Sequence, residues 1–184
     1  MLEIDPIWMP DIQQAHFRIM LNAMARPGNC YPLRKTPVEG LAALAVLSTL
    51  LDAEVSLSDP HELLRNGDWP MLQANPVAAE HADYLLCDGG RAPDFTPKLG
   101  SLSSPEKSAT LILVVKALGQ GDTRLRLTGP GIAQACYLSI GGIHRQWLAI
   151  REEWVCAFPL GVDMILVDEE RITALPRTTL VEVI

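Results

Sequence analysis

The stretch Leu111-Ile112-Leu113-Val114-Val115 decides the fold, since it is short, continuous and apolar at every position. A run of this kind is typical of a central strand that is covered on both faces of its sheet. Two shorter runs have the same character, Tyr84-Leu85-Leu86-Cys87 and Met164-Ile165-Leu166-Val167. We therefore expect three buried strands.

Further strands are predicted toward the C-terminus. Arg124-Leu125-Arg126-Leu127-Thr128 alternates between polar and apolar residues, so one of its faces is expected to meet solvent. The polar turn Asp168-Glu169-Glu170 leads into an apolar run at 172–175, which predicts a hairpin. Residues 181–184 are expected to add a last strand.

The first clear helix is predicted over residues 11–25. Asp11 and Gln14 have the spacing of a capping box, and Arg26-Pro27-Gly28 ends the helix. Its apolar face is expected to consist of residues at i, i+3, i+4 and i+7, which are Phe17, Met20, Leu21 and Met24.

Two more helices complete the prediction. Residues 38–51 are apolar nearly all round, which favours a buried helix. Ile143, Trp147, Ile150 and Trp154 recur at helical spacing, whereas residues 88–108 lack any period and are expected to form a long loop. Helices mixed with buried strands predict a sheet with helices on both faces, and 184 residues suit one domain over 1–184.

Charge and hydropathy exclude several classes of protein. The 15 lysines and arginines against 22 acidic residues give a net charge of −7, so nucleic acid is not an expected partner. The longest apolar run, residues 41–47, falls short of a membrane span, and the acidic N-terminus does not look like a signal peptide. We expect a cytoplasmic protein, and the mean hydropathy of +0.16 suggests that another subunit covers part of its surface.

The strong motifs of metal, redox and nucleotide chemistry are missing from the sequence. The four cysteines are far apart and contain no Cys-x-x-Cys pair, and the four histidines form no i, i+4 pair. No P-loop, dinucleotide fingerprint or hydrolase elbow occurs either. The sequence therefore predicts no metal site and leaves the catalytic residues unknown.

Two candidate sites rise from the residues themselves, and the first is an anion site. Arg124, Arg126 and Thr128 share a face of their strand, and the turn Gly129-Pro130-Gly131 follows with backbone N–H groups that suit an anion. The alternative is a sheet edge with solvated arginines. A nucleoside triphosphate or a phosphonate would fit such a site, and so would an acidic patch on a partner subunit.

A second candidate is Pro176-Arg177-Thr178-Thr179, with one guanidinium and two hydroxyls near the C-terminus. Arg177 would complete the anion site if the fold brought this segment beside residues 124–128, and Arg26 is a further candidate. The alternative is a hydrogen-bonded connection between strands. Among the lysines, Lys116 has the most sensible location for a pyridoxal phosphate Schiff base, but a charged residue leaving the sheet explains it more simply.

Four segments in order resemble the H subunit family of the bacterial carbon–phosphorus lyase system. The last of them combines Phe158-Pro159-Leu160-Gly161-Val162-Asp163 with Pro176-Arg177-Thr178-Thr179 and Glu182-Val183. The others are residues 16–28, Ala109-Thr110-Leu111-Ile112-Leu113 and Leu125-Arg126-Leu127-Thr128-Gly129-Pro130-Gly131-Ile132. Residues 52–108 match weakly, so nothing is carried over there.

The resemblance implies a subunit of a complex that lets bacteria use alkylphosphonates. Such a subunit works with the G, I and J subunits and is needed to form a ribose 1-phosphonate 5-triphosphate from a purine nucleoside triphosphate and a phosphonate. It implies no cofactor and no independent activity. The implied fold is an α/β, single three-layer domain with a mixed sheet, similar to the large domain of pyridoxal phosphate-dependent transferases.

Three functions remain open from the sequence. The first is a subunit for assembly and ligand binding, which forms a homodimer when isolated. The second is a stand-alone small-molecule phosphate- or nucleotide-binding transferase, and the third is a pyridoxal enzyme. The missing nucleophile and base motifs favour the first.

Overall fold

The computed structural model describes residues 5–34, 37 and 41–184. The helices are α1 Pro10–Ala25, α2 Ala43–Leu50, α3 Asp68–Leu72 and α4 Gln146–Val155, with short 3-10 helices at Pro6–Trp8, Ala79–His81 and Pro105–Lys107. The strands are β1 Tyr31–Pro32, β2 Ser56–Ser58, β3 Asn75–Pro76, β4 Tyr84–Asp88, β5 Thr110–Val114, β6 Ala117–Thr128, β7 Cys136–Gly141, β8 Asp163–Val167, β9 Arg171–Leu175 and β10 Leu180–Val183.

The main sheet has the strand order β1-β9-β8-β5-β4-β2-β3. Strands β2, β4, β5 and β8 run parallel, whereas β9 pairs antiparallel with β8 through a hairpin and β1 pairs antiparallel with β9. Strand β5 pairs along its whole length with β4 on one side and β8 on the other, Leu111 lying opposite Leu85 and Met164. The prediction of three central buried strands is confirmed.

Alternate residues of β5 enter two different cores. Leu111 and Leu113 face one side of the main sheet, where α4 and a second sheet pack, and both side chains are fully buried. Ile112 faces the other side, where α1 and α2 pack. Because both faces are covered, the strand needs no polar residue, as its sequence indicated.

The second sheet is antiparallel, with the order β10-β6-β7. The predicted α/β fold with a mixed sheet is confirmed, but the expectation of helices alone on both faces is wrong on the α4 side. There β6 lies in the middle of its own sheet and not at the edge of the main one. Leu125 and Leu127 of β6, with Leu138 and Ile140 of β7, are apolar enough to bury that sheet's inner face against the main sheet.

Helix α1 spans the predicted residues but buries a different face. Its buried side chains are Ile12, His16, Met20 and Ala23, while Phe17 and Leu21 are 46% and 53% exposed. This face packs against α2 and β9, and it includes His16, whose Nε2 lies 2.6 Å from the carbonyl oxygen of Arg34 while its Nδ1 has no hydrogen-bond partner among the described residues. The capping box is also wrong, since Met9 precedes the first turn and no side chain caps it.

The remaining elements agree better with the predictions from the sequence. Helix α2 is buried as predicted but begins at Ala43, and residues 38–40 of the predicted helix lie outside the described residues. Helix α4 places Trp147 and Trp154 in the core in edge-to-face contact, with ring centroids 6.5 Å apart. The hairpin β8–β9, the last strand and the loop of residues 88–108 are confirmed, that loop holding one 3-10 helix. No described helix is long and apolar enough to cross a membrane.

Candidate functional site

Three of the segments that carry the resemblance meet at the turn of residues 129–131. Gly131, with φ +82°, lies so close to α1 that a Cβ there would stand 2.2 Å from the carbonyl oxygen of Ala25. Gly129, with φ +128°, faces the other way, and its Cβ would stand 2.8 Å from the carbonyl oxygen of Thr178. Both positions need glycine for φ and for space.

This meeting point brings together several of the predicted site residues. Gly129 and Gly131 contact the segments that hold Thr178, Thr179 and Arg26 through backbone atoms. The Arg26 side chain is exposed, whereas Thr179 is 1% exposed. The segments that converge here are therefore among those singled out from the sequence. The spacing of their residues along the chain did not indicate that backbone atoms make the contacts.

Arg124 and Arg126 lie on the exposed face of β6, as the alternation predicted. The guanidinium of Arg126 donates to Glu182 on β10, with Nη1 and Oε2 3.0 Å apart. That hydrogen bond and the charge of Glu182, with a smaller contribution from Tyr137 on β7, raise the pKa of Arg126. Within the described ranges, Arg124 makes no ion pair.

The guanidinium of Arg177 donates its hydrogen bonds to groups inside the protein. Its Nη2 donates to Asp163 at 2.6 Å and to the hydroxyl of Ser108 at 2.5 Å. Its Nη1 donates to the carbonyl oxygens of Pro105 and Pro159 at 3.1 and 3.2 Å. These partners lie at the start of β5 and β8, so the side chain of Arg177 is not directed to Arg124 and Arg126. An anion site at the latter two stays a prediction.

Arg151 holds the connection of residues 176–179 in place, although it was not among the residues predicted from the sequence. Its side chain lies on α4, is 2% exposed, and donates from Nη2 to the carbonyl oxygens of Pro176 and Thr179 at 2.6 and 3.1 Å. Burial lowers the pKa of Arg151 to about 10. The signal was present, because Arg151 follows Trp147 by four residues and so shares the buried helix face.

A cavity of about 560 Å³ opens at the carboxyl ends of β5 and β8. Crevices at the carboxyl ends of parallel strands are where α/β sheets bind ligands. Its described lining consists of Pro37, Leu41, Ala42, Ala43, Val114, Val115, Lys116, Asp168 and Glu169. Among the described residues of this lining, Lys116 is the one cation and lies beside two carboxylates, which is a poor match to the phosphate of a pyridoxal cofactor.

Asp168 closes this end of the sheet and is saturated with hydrogen bonds. Its carboxylate accepts from the backbone N–H groups of Leu118, Glu170 and Arg171 at 2.9, 3.0 and 2.7 Å, and from the guanidinium of Arg171 at 2.9 Å. Burial alone would raise the pKa of Asp168, but these donors outweigh it and lower the pKa below its usual value.

His61 lies near the carboxyl end of β4 and has its tautomer fixed. Its Nδ1 accepts the backbone N–H of Asp88 at 2.9 Å, which leaves the proton of the neutral ring on Nε2. Burial, with the nearby charge of Arg91, lowers the pKa of His61. Within the part of the chain that the structure describes, no three His, Cys, Asp or Glu side chains are grouped so that they could hold a metal ion.

Comparison with known proteins places the chain in a family. Residues 7–182 match the sequence model of the family described as "Bacterial phosphonate metabolism protein (PhnH)". A protein of Stutzerimonas stutzeri named as the C-P lyase subunit HtxG is 42% identical over 173 residues, which cover 94% of this chain and 87% of the relative. The "Alpha-D-ribose 1-methylphosphonate 5-triphosphate synthase subunit PhnH" of Rhizobium meliloti (strain 1021) is 29% identical over 180 residues, 92% of this chain and 90% of the relative. The chain therefore belongs to the PhnH family of bacterial phosphonate metabolism proteins.

Proposed function

We propose that this chain is a subunit of a carbon–phosphorus lyase complex in alkylphosphonate catabolism. In that role it is needed to form a ribose 1-phosphonate 5-triphosphate from a purine nucleoside triphosphate and a phosphonate. The observation that carries the proposal is the family match over residues 7–182 together with relatives named as subunits of a C-P lyase and of a ribose 1-methylphosphonate 5-triphosphate synthase.

The partners in this proposal are the G, I and J subunits that the family resemblance implies. The subunit works within the assembled complex in the cytoplasm and has no activity of its own. Two structural features support a role in assembly: β10 is the last strand of a small exposed sheet, and Leu180 on it is 70% exposed. Large exposed apolar side chains that cluster are typical of surfaces that other proteins cover.

Growth on a phosphonate tests the proposal directly. A strain that lacks its own gene for this subunit, but has the other subunits, should regain growth on methylphosphonate when it receives this chain. Growth on inorganic phosphate is the control, because it does not need the pathway. The proposal is wrong if the chain is made, is folded and fails to restore growth, and if it also fails to co-purify with the other subunits.

A second candidate is a stand-alone small-molecule phosphate- or nucleotide-binding transferase. Its support is the position alone of the cavity of about 560 Å³ at the carboxyl ends of β5 and β8, the usual ligand position in such sheets, because the described lining sets two carboxylates beside Lys116. Calorimetry of the isolated chain with ATP distinguishes the two. Tight binding without any other subunit would support the transferase, whereas binding that needs the assembled complex would support the first proposal.

Two expectations from the sequence belong to this proposal as well. The isolated chain forms a homodimer, for which the exposed Phe17 and Leu21 on α1 offer apolar side chains. The fold is similar to the large domain of pyridoxal phosphate-dependent transferases. Sedimentation equilibrium at micromolar concentration tests the dimer, and a species of about 20 kDa that persists there would exclude it.

A further inference from the structure

The connection between β9 and β10 covers a buried guanidinium that leaves much of its hydrogen-bonding capacity unused. Arg151 on α4 is 2% exposed and donates from Nη2 to the carbonyl oxygens of Pro176 and Thr179 at 2.6 and 3.1 Å. Its Nε is also buried, and it has no hydrogen-bond partner among the described residues. Buried donors of charged groups are normally satisfied, so the unpartnered Nε–H indicates an acceptor that the chain does not provide.

Thr179 adds a second unpartnered group in the same place. Its side chain is 1% exposed, and its Oγ1 has no hydrogen-bond partner within the described ranges. Because the carbonyl oxygen of Thr179 accepts from Arg151 at 3.1 Å, the two unpartnered atoms lie in one neighbourhood. A guanidinium N–H and a hydroxyl group can both donate to a single acceptor between them.

The positive charge of Arg151 is poorly compensated within the fold. Asp163 is the charged side chain that acts on it, but this carboxylate is already ion-paired with Arg177 at 2.6 Å. All three side chains are less than a fifth exposed, and together they carry two positive charges and one negative charge. Burial outweighs the charge of Asp163 and lowers the pKa of Arg151 to about 10, as expected for a cation whose counter-charge is shared.

The other charged residues close along the chain lie at the surface. Glu152 and Glu153 follow Arg151 on α4, but both are exposed and neither forms an ion pair with it in the part of the chain that the structure describes. Glu106 and Lys107, which follow the Pro105 that Arg177 contacts, are exposed and opposite in sign. A water molecule would accept the free hydrogen bonds but would leave the buried charge, whereas an anion satisfies both.

We propose that Arg151 and Thr179 bind a small monovalent anion of the size of chloride. The anion accepts from the Nε–H of Arg151 and from the hydroxyl group of Thr179. Both of these atoms are closed to solvent, so the site takes a compact ion and excludes a nucleotide or an organic phosphonate. The bound anion holds the connection of residues 176–179 against α4. This inference does not depend on the proposed function.

The dependence of thermal stability on chloride tests the site. The melting temperature of the full chain is measured in sodium chloride and in sodium gluconate at equal ionic strength and pH, because gluconate is too large for an enclosed site. Thr179→Val removes the hydroxyl group with little change in volume, and Thr179→Ser keeps it. Thr178→Val is the matched control, since Thr178 is the exposed neighbour of Thr179. Arg151→Met removes the charge and keeps a long side chain.

We expect chloride to raise the melting temperature of the unmodified chain by at least about 2 °C relative to gluconate. Thr179→Ser and Thr178→Val should keep this shift, whereas Thr179→Val and Arg151→Met should lose most of it. General effects of the two salts on the protein surface are common to all variants, so the difference between variants reports the site. In crystals soaked in sodium bromide, an anomalous peak should lie within hydrogen-bond distance of Arg151 Nε and Thr179 Oγ1.

Three outcomes would overturn the inference. If Thr179→Val keeps the full chloride shift, the ion acts elsewhere on the protein. If the crystals show a water molecule between the two atoms and no bromide, buried solvent satisfies them. A bromide peak without any chloride dependence of the melting temperature identifies an adventitious ion only. Should Arg151→Met fail to fold, Thr179→Val and the bromide crystals decide the matter without it.

Discussion

Arg177 lies in the connection between β9 and β10, and Arg124 lies on β6. Their surroundings give the two arginines different roles. Arg177 is ion-paired with Asp163, and both side chains are less than a fifth exposed. It also satisfies two backbone carbonyl oxygens and one hydroxyl, so its guanidinium has little donor capacity left. Arg124 has an exposed guanidinium and no ion pair among the described residues. The first is built into the fold, whereas the second meets solvent.

The ion pair and hydrogen bonds of Arg177 should make a measurable contribution to the free energy of unfolding. Arg177→Gln leaves Asp163 without its counter-charge at a position that is only 19% exposed, so the free energy of unfolding should fall by about 3–5 kcal/mol. Arg124→Gln is the matched control and should change it by less than about 0.5 kcal/mol. Urea denaturation monitored by tryptophan fluorescence measures both. Equal stability of the two variants would show that the Arg177 network is weak.

Arg177 could be singled out from the sequence, but its partners could not, and the cause is physical. Asp163 lies 14 residues earlier in another strand, and Ser108 lies 69 residues earlier. No periodicity links such positions, because only the paired strands of the main sheet bring them together. Arg151 was missed for a related reason, since a cation on a buried helix face acquires its role from two carbonyl oxygens far along the chain.

At the scale of elements, the position of helix α1 was predicted correctly, but its buried face was predicted wrongly. The predicted stripe of Phe17, Met20, Leu21 and Met24 has regular spacing, yet only Met20 of the four is buried. The face that packs on α2 and β9 includes His16, whose Nε2 lies beside the carbonyl oxygen of Arg34, and the neighbouring Phe17 therefore meets solvent. The central strands, by contrast, were predictable since an unbroken apolar run leaves a strand no exposed face.

Two substitutions on α1 distinguish the observed face from the predicted one. Met20→Ala removes a side chain that is 4% exposed and should lower the free energy of unfolding by about 2–5 kcal/mol. Phe17→Ala, at a position 46% exposed, should lower it by less than about 1 kcal/mol. Chemical denaturation decides between the two faces. A larger loss for Phe17→Ala would restore the face that the sequence predicted.

The turn of residues 129–131 gives the sharpest test of an element contact. Gly131→Ala forces a residue with a side chain to φ +82° and places its Cβ 2.2 Å from the carbonyl oxygen of Ala25. We expect a loss of about 3 kcal/mol in the free energy of unfolding. Gly67→Ala is the control, because nothing lies within 4 Å of its Cβ, and its effect should stay within about 0.5 kcal/mol. A neutral Gly131→Ala would mean that α1 and the turn are not in contact.

At the scale of the whole molecule, the two sheets are joined by polar contacts as well as by the core between them. Asp168, at the hairpin of β8 and β9, accepts the backbone N–H of Leu118 on β6 at 2.9 Å. The sequence predicted the hairpin from its polar residues but not this contact, since Leu118 is 50 residues away. The α/β fold was predicted correctly, but the second sheet was not. The alternation of residues 124–128 indicates that their strand has one solvent-exposed face, but it does not indicate to which sheet the strand belongs.

The contact of Asp168 makes stability depend on acid in a defined direction. The pKa of Asp168 is lowered in the fold, because donated hydrogen bonds outweigh the effect of burial. Its contribution is therefore fully present above the unfolded pKa, about 3.9, and is lost as pH falls through the lower folded value. Asp168→Asn should lower the free energy of unfolding by about 2–3 kcal/mol near pH 7, since an amide accepts these bonds less well.

The pH dependence separates this charge effect from a simple packing defect. The difference between the unmodified chain and Asp168→Asn should stay constant from about pH 8 to 5 and shrink below about pH 4, where the carboxyl group of the unmodified chain becomes protonated. Asp122→Asn, at an exposed position of β6, is the control and should show no such difference. Urea denaturation of all three proteins across this range is the measurement. If the difference for Asp168→Asn is the same at pH 3 as at pH 7, the carboxylate does not join the two sheets by its charge, and the packing of Leu118, Leu125 and Leu127 alone holds them together.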